Sequence, residues 1–306
     1  MSIDLHCHSV ASDGVLTPAA VVARAAERGV RFLALSDHDS IGGLAEAGAA
    51  AALHGITLIP GVEISVLHAG RTLHVLGLNV NPDAPALAAA LAEQARLRHA
   101  RGEAMAERFR RAGMAAIAEH AWALAGVGSV GRMHFARALV ELGHVRNEEA
   151  AFRRWLKPGR PAHVAGGWIE LEPAVAAIRA ASGTAVLAHP LRYGLSHTKF
   201  MRLADTFRAI GGEGLELGPA RLARAEIDAI VGACGRYGLG LSVGSDFHAP
   251  GPLAELGNVV TLPERLPAVW EAWGLPRQIA PATAEDGVAD TPATGFTGAI
   301  GPPLGL

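Results

Sequence analysis

The feature that most constrains this chain is the alternation of short apolar segments with longer segments rich in alanine and leucine. The apolar segments 32–35 and 184–188 have the length and composition of buried β-strands. Four segments have helical patterns: 18–28, 41–54, 173–181 and 220–236. This alternation predicts an α/β fold with a parallel sheet, and polar residues at many strand ends predict that the sheet closes into a barrel.

A candidate metal-binding motif stands at the start of the chain. His6 and His8 are separated by one residue, and Asp13 follows five positions later. Because side chains alternate between the two faces of a strand, both histidines point the same way and can share one metal ion. Cys7 then points to the opposite face, which favours a structural position over thiol chemistry.

Further histidines and carboxylates lie within or directly after strand-like segments. His38 follows the segment 32–35, and Glu63 lies among the aliphatic residues of 56–64. A buried carboxylate without a partner is costly unless a cation compensates it. Each histidine alone is better explained as a core or surface residue, and only the whole set favours a metal centre. The candidate ligands are His6, His8, Asp13, His38, Glu63, His74, His189, Asp246 and His248.

These motifs resemble those of the PHP (polymerase and histidinol phosphatase) family of metal-dependent phosphoesterases. The matching features are His6-x-His8, Ser-Asp-His38-Asp, Glu63, His189-Pro190 and Asp246-x-His248, within residues 1–80 and 160–260. The chain is most similar to a trinuclear branch that contains 3′,5′-nucleoside bisphosphate phosphatases and 5′-to-3′ exonucleases on short RNA. The segments 4–14, 131–140 and 186–193 carry this closer match, with Met133 where the branch has a proline.

The resemblance implies a distorted (β/α)7 TIM-like barrel and a site for two to three divalent metal ions, Mn²⁺, Fe²⁺ or Zn²⁺. In the family's ligand scheme, the first ion is held by His6, His8, Glu63 and Asp246. The second ion is held by Asp13, His38 and His248, and the third by Glu63, His74 and His189. Such ions activate water for phosphate-ester hydrolysis. The implied catalytic residues are Asp13, Glu63, Asp246 and His248.

Three residues are predicted to bind substrate. Arg192 follows His189 closely enough for its guanidinium group to reach the same pocket, where it can bind two phosphate oxygens. Arg132 and His134 are assigned this role by the family resemblance. The alternative for Arg132 is a capping or pairing role on a helix.

Residues 84–162 interrupt the alternation. They contain many arginines and helical patterns over 84–112, 114–125, 133–142 and 148–156. We expect an inserted helical subdomain at 84–162 that selects the substrate, within a discontinuous barrel formed by 1–83 and 163–275. A purely structural cap is the alternative. The tail 276–306, rich in Gly, Pro, Ala and Thr, is expected to be disordered.

Composition narrows the kinds of partner. The 306 residues suffice for one large domain with an insertion, and a net charge of −2 provides no broad basic surface for long duplex nucleic acid. A small phosphorylated nucleotide or a short RNA is therefore the expected substrate. Two cysteines form no disulfide framework, and the chain shows no signal peptide or transmembrane segment. We expect a cytoplasmic enzyme without a membrane partner.

The function that the sequence favours is hydrolysis of the 3′-phosphate of 3′,5′-nucleoside bisphosphates such as pAp, with 5′-to-3′ exonuclease action on short RNA as a further activity. One alternative is another phosphomonoesterase of the family, such as a histidinol phosphatase. The second is a non-catalytic metal-binding module. Degenerate modules are expected to lack ligands, whereas all nine positions are filled here.

Overall fold

The structure is a computed structural model that describes residues 3–126, 128–218, 222–251 and 254–277. Seven strands form one sheet in chain order. Strands β1 to β7 are Ile3–Cys7, Phe32–Leu35, Thr57–His68, Arg71–Leu78, Thr184–Leu187, Gly214–Leu217 and Gly240–Val243. After β7, the carbonyl of Phe247 accepts a hydrogen bond from the backbone N–H of His8, and the N–H of Asp246 donates to the carbonyl of His6. The sheet is therefore a nearly closed barrel, which confirms the predicted fold class.

Strand β4 runs antiparallel to both of its neighbours, β3 and β5. β3 and β4 form a hairpin whose two connecting residues, Ala69 and Gly70, have φ angles of 49° and 73°. Positive φ at both positions is typical of the two-residue turns that join antiparallel strands. The prediction of a wholly parallel sheet is wrong at β4, because two residues cannot form the crossover that parallel strands require.

The helices lie close to their predicted positions. In the described part of the chain, helices α1 to α9 are Pro18–Glu27, Leu44–His54, Pro85–Arg111, Ala115–Ala125, Arg132–Glu141, Glu148–Ala151, Leu171–Ala180, His197–Ala209 and Arg224–Tyr237. Shorter helical turns occupy Phe152–Leu156, Pro190–Tyr193 and Val269–Trp273. The side chain of Thr17 caps α1 by accepting a hydrogen bond from the N–H of Ala20. Helix α8 and strand β6 were not predicted from the sequence.

Helices α3 to α6 lie between β4 and β5 in the chain and have an apolar cluster of their own. Phe109 of α3 and Phe135 of α5 stack there with ring centroids 5.5 Å apart. The first part of α3 packs elsewhere, because Leu87 and Leu91 belong to the barrel's core. One continuous helix thus connects the two cores, and the division at residues 84 and 162 stays a prediction.

Of the tail predicted to be disordered, residues 278–306 lie outside the described residues. Pro276 accepts a hydrogen bond from the indole of Trp270, 3.1 Å away. Among the described helices, none has the length and apolar character needed to span a bilayer. The predicted cytoplasmic location stays a prediction.

Candidate metal centre and substrate cavity

The nine candidate ligands converge at one edge of the barrel, although their chain positions range from 6 to 248. Those on the parallel strands lie near the carboxyl ends, as His6 does on β1 and as His38 does after β2. His74 lies in the first half of β4, opposite Ser65 of β3. Because β4 is antiparallel, its amino-terminal half lies at the same edge as the carboxyl ends of its neighbours.

Glu63 is the centre of the cluster and is fully buried. Its Oε2 atom lies 3.3 Å from His6 Nε2, 3.3 Å from His8 Nε2 and 2.8 Å from His38 Nδ1. Its Oε1 atom lies 2.9 Å from His74 Nδ1 and 3.1 Å from His189 Nε2. A single carboxylate therefore contacts five imidazoles, which suits a ligand shared between ions.

Asp13 and Asp246 surround the same cluster from two loops. Asp13 Oδ1 lies 3.3 Å from His248 Nε2 and 4.0 Å from His38 Nε2. Asp246 Oδ1 lies 3.4 Å from the Nε2 atoms of both His6 and His8. Both carboxylates thus extend the cluster beyond Glu63.

The donor atoms fit metal ions better than they fit one another. Glu63 Oε2 and His38 Nδ1 lie 2.8 Å apart, yet within the described residues neither atom makes a hydrogen bond, and the same holds for Asp13 Oδ1. Buried polar atoms normally have partners. Four groups hold their ligand atoms within 4.8 Å of one another: His8, Asp13, His38 and His248; His6, Glu63 and His189; His6, His8 and Asp246; His38, Glu63 and His74. The cluster could hold metal ions.

The groups overlap and differ from the family's ligand scheme. His8 joins the Asp13 group, and His38 joins Glu63 and His74. His189 is grouped with His6. The assignment of particular ligands to particular ions therefore stays a prediction.

The protonation states of Glu63, His8 and His74 also suit metal binding. Burial opposes ionisation of Glu63, but the neighbouring His38, His74 and His6 outweigh it and hold the pKa of the carboxyl well below its usual value. Burial lowers the pKa of His8 to about 3 and that of His74 to about 4. At neutral pH these two imidazoles are uncharged, as a metal ligand must be.

Three residues at the site have a backbone conformation in the left-handed region of φ. Asp39, His189 and Asp246 have φ angles of 52°, 29° and 53°. Such conformations cost free energy in residues other than glycine, and they cluster at functional sites. Each follows a strand closely, so the strained backbone lies at the edge that carries the ligands.

Residues next to the ligands hold the loops in place. Both Oδ atoms of Asp37 accept hydrogen bonds from the first loop: Oδ1 from the Ser9 backbone N–H and the Ser12 hydroxyl, and Oδ2 from the Ser9 hydroxyl. This loop carries Asp13. On the other side of His38, Asp39 forms a buried ion pair with Arg98 of α3. In the sequence, both aspartates are distinguished only by being neighbours of His38.

A cavity of about 900 Å³ extends from the cluster of candidate metal ligands towards the inserted helices. Asp13, His74 and Asp246 line one part of it, and arginines line another. Arg192 lies in the cavity as predicted and contacts the carboxylate of Asp246. Arg132 also lines the cavity. The site therefore combines metal ligands with cationic side chains.

Arg101 is a cavity residue that the sequence analysis missed. Its guanidinium donates to the carbonyl of Val164 at 3.0 Å and lies 5.4 Å from the ring of Trp168. Burial, and then the charges of Arg132 and Arg98, lower the pKa of Arg101 to about 9. Across the described ranges, Arg101 and Arg132 have no ion-pair partner within 4.0 Å, unlike Arg98. Because α3 contains several arginines, its sequence does not indicate which of them faces the site.

His134, the third predicted substrate-binding residue, makes a local contact. It is buried in the first turn of α5, where its Nδ1 atom accepts a hydrogen bond from the N–H of Gly131 at 2.9 Å. It is absent from the residues that line the cavity, whereas its neighbours Arg132 and Met133 are among them. His134 thus caps the helix that carries Arg132, and its role in substrate binding stays a prediction.

The barrel and its cluster of buried ligands define a metal-binding α/β-barrel protein. Residues 4–97 match the PHP domain. A 5′-3′ exoribonuclease of Haemophilus influenzae is 42% identical over 268 residues, which are 88% of this chain and 97% of that protein. A 3′,5′-nucleoside bisphosphate phosphatase of Chromobacterium violaceum is 42% identical over 271 residues, 88% of this chain and 95% of that protein.

The chain belongs to the PHP family, as its motifs predicted. A solved structure agrees: an amidohydrolase from Chromobacterium violaceum with bound sulfate and no metal superimposes with a TM-score of 0.85 at 41% identity. The match covers 94% of this chain and 100% of that one.

Proposed function

We propose that the protein is a metal-dependent phosphoesterase that removes the 3′-phosphate of 3′,5′-nucleoside bisphosphates such as pAp and also degrades short RNA from its 5′ end. One observation carries this proposal: a single cavity joins the buried ligand cluster to the guanidinium groups of Arg101 and Arg132. Relatives named for each of these two activities align with 88% of this chain.

The ligand cluster takes two to three divalent ions, Mn²⁺, Fe²⁺ or Zn²⁺, since mixed imidazole and carboxylate ligands suit these metals. We retain the family's scheme, with Glu63 shared between two ions. When bound, such ions generate a hydroxide nucleophile and neutralise charge on the phosphoryl oxygens. Asp13, Glu63, Asp246 and His248 act as the catalytic group by holding this centre.

The chain's own cations position the substrate. Arg192 lies beside Asp246 and half exposed to the cavity, where its fork can bind two oxygens of the scissile phosphate. Arg101 lies in α3 and Arg132 in α5, on the side of the cavity formed by the inserted helices. They bind the second phosphate of a bisphosphate, or the 5′-phosphate of an RNA.

The two alternative functions would leave part of this cavity without a role. A histidinol phosphatase substrate has one phosphate, which would leave the partly buried charges of Arg101 and Arg132 without an anion. A non-catalytic metal module would not need the cavity at all. The net charge of −2 and the enclosed arginines favour a small anion or short RNA over long duplex nucleic acid.

The test is phosphate release by the purified protein after removal of metals and reconstitution with Mn²⁺. The substrates are pAp, 3′-AMP, 5′-AMP, histidinol phosphate and a 5′-phosphorylated RNA trimer. Preference for pAp with slower shortening of the trimer is expected. Preference for histidinol phosphate would contradict the substrate assignment, and absence of turnover on every substrate would favour a non-catalytic module.

A further inference from the structure

A buried carboxylate behind the metal cluster contacts two of its ligands at once. Glu216 lies in β6 and is fully buried. Its Oε1 atom lies 2.8 Å from His6 Nδ1, and its Oε2 atom accepts a hydrogen bond of 2.6 Å from the backbone N–H of His189. His6 belongs to β1 and His189 follows β5, so Glu216 connects ligands from two strands that are not neighbours in the sheet.

We propose that Glu216 is a positioning residue that orients His6 and His189 for metal binding. The inference rests on the metal binding in the proposed function and is independent of the substrate. With the Nδ1 proton of His6 donated to Glu216, the lone pair of His6 is on Nε2. That atom faces the cluster, 3.3 Å from Glu63 Oε2 and 3.4 Å from Asp246 Oδ1. A carboxylate on the second ring nitrogen fixes both the tautomer and the ring orientation of a metal-binding histidine.

The second contact acts on the backbone. His189 has a φ angle of 29°, a strained value for a residue with a side chain. The His189 N–H donates to Glu216 Oε2, and this hydrogen bond holds the conformation that directs the imidazole to Glu63 Oε1, 3.1 Å away. Glu216 therefore stabilises one ligand through its ring and the other through its main chain.

The surroundings leave Glu216 little freedom to move. A Cβ atom at Gly244 would lie 2.8 Å from Glu216 Oε1 and 2.2 Å from the Cβ of His6. The glycine lets β7 approach closely enough to enclose the carboxylate and the first ligand together. Since Glu216 is enclosed and absent from the cavity lining, it acts through His6 and His189 and not on the substrate.

Glu216→Gln disrupts one of the two contacts, whichever way the amide is oriented, with almost no change in side-chain size. If the amide oxygen faces His6, the amide N–H₂ group meets the N–H of His189, and two donors oppose each other. If the oxygen faces His189, the amide donates to His6 Nδ1 and forces the ring proton onto Nε2, where it blocks metal binding. Either orientation weakens a metal ligand.

The experiment titrates the metal-free protein with Mn²⁺ alone and measures the affinity by calorimetry and the rise in melting temperature on metal addition. Glu216→Gln should weaken the affected site roughly 10- to 100-fold and reduce the metal-induced rise. Glu213→Gln is the control, because the carboxylate of this exposed glutamate beside β6 accepts a hydrogen bond from the N–H of Ala185 at 3.2 Å and contacts none of the candidate ligands in the described part of the chain. It should bind Mn²⁺ like the wild type.

Glu216→Asp provides a second variant, since it keeps the charge but is one methylene too short for both contacts. Wild-type affinity in the folded Glu216 variants, with only the metal-free melting temperature lowered, would overturn the inference and leave Glu216 a structural residue. Failure of the wild type to bind Mn²⁺ would instead overturn the proposed metal dependence. The two failures are thus distinguishable.

Discussion

Replacing Arg101 by methionine should remove selectivity for the second phosphate and leave phosphate-ester hydrolysis in place. Arg101 lies in the cavity among Arg98 and Arg132, but only Arg98 has a carboxylate partner, Asp39, in the part of the chain that the structure describes. Methionine retains the apolar stem of the side chain and its packing against Trp168. The variant loses the charge together with the hydrogen bond to the carbonyl of Val164.

The expected changes in kcat/KM and in stability follow from two effects of the Arg101 charge: it binds the second phosphate, and it destabilises the free protein. A hydrogen bond to a charged group contributes about 1.5–3 kcal/mol, so Arg101→Met should lower kcat/KM for pAp about 10- to 100-fold. The free protein should not lose stability. Burial and the neighbouring arginines lower the pKa of Arg101 from 12.5 to about 9, which corresponds to at most about 5 kcal/mol of destabilisation of the charged form.

The assay compares kcat/KM for pAp and for 3′-AMP, which lacks the 5′-phosphate, and records the melting temperature of each protein. The ratio between the two substrates should fall in Arg101→Met, and its melting temperature should equal or exceed that of the wild type. Arg96→Met is the matched control on the same helix, since Arg96 is 65% exposed and paired with Glu93. An equal loss on both substrates, or a lower melting temperature with unchanged selectivity, would refute the reasoning.

Three further predictions concern the ligands, pH and packing. Asp246→Asn should lose Mn²⁺ binding and activity while its circular dichroism stays that of the folded barrel; full activity would contradict the ligand assignment. Burial lowers the pKa of His134 from 6.5 to about 4, so the unfolded chain takes up a proton first and stability falls as pH drops from 6.5 to 4. In His134→Gln, urea denaturation should show this fall reduced by up to about 3 kcal/mol, and an unchanged pH profile would contradict the buried neutral ring. Gly102→Ala should destabilise the protein by about 1–3 kcal/mol, because the added Cβ would lie 2.2 Å from Val130 Cγ1. Gly48→Ala, whose added Cβ has its nearest atom at 3.9 Å, should stabilise the protein by up to about 1 kcal/mol. A stabilised Gly102 variant would contradict the tight packing between Gly102 and Val130.

Much of the site could be predicted because its ligands have a local signal. A histidine or carboxylate at the end of an apolar strand stands out in the chain, and barrel closure brings strand ends together. His6 and His189 were recognised in this way, and the structure places both against Glu63. Arg192 was within reach of the same reasoning, because it follows a ligand by only three residues.

Other parts carried no such signal. Glu216 meets His6 across 210 residues of chain, and its segment was not predicted as a strand. Arg101 is one of several arginines in α3, and only the packing of that helix decides which of them faces the cavity. For His134, only the structure shows that the ring accepts a hydrogen bond from the backbone N–H of Gly131 at the start of its own helix.

The sequence by itself determined the α/β class, the approximate positions of most helices and the set of candidate metal ligands, because these depend on local propensity and on the two-residue period of strands. Tertiary structure alone decided that β4 pairs antiparallel with β5, that Glu216 contacts two candidate ligands, and that Arg101 faces the cavity. These features depend on contacts between distant segments. Such contacts form only when the sheet closes and the inserted helices pack, and no local pattern encodes them.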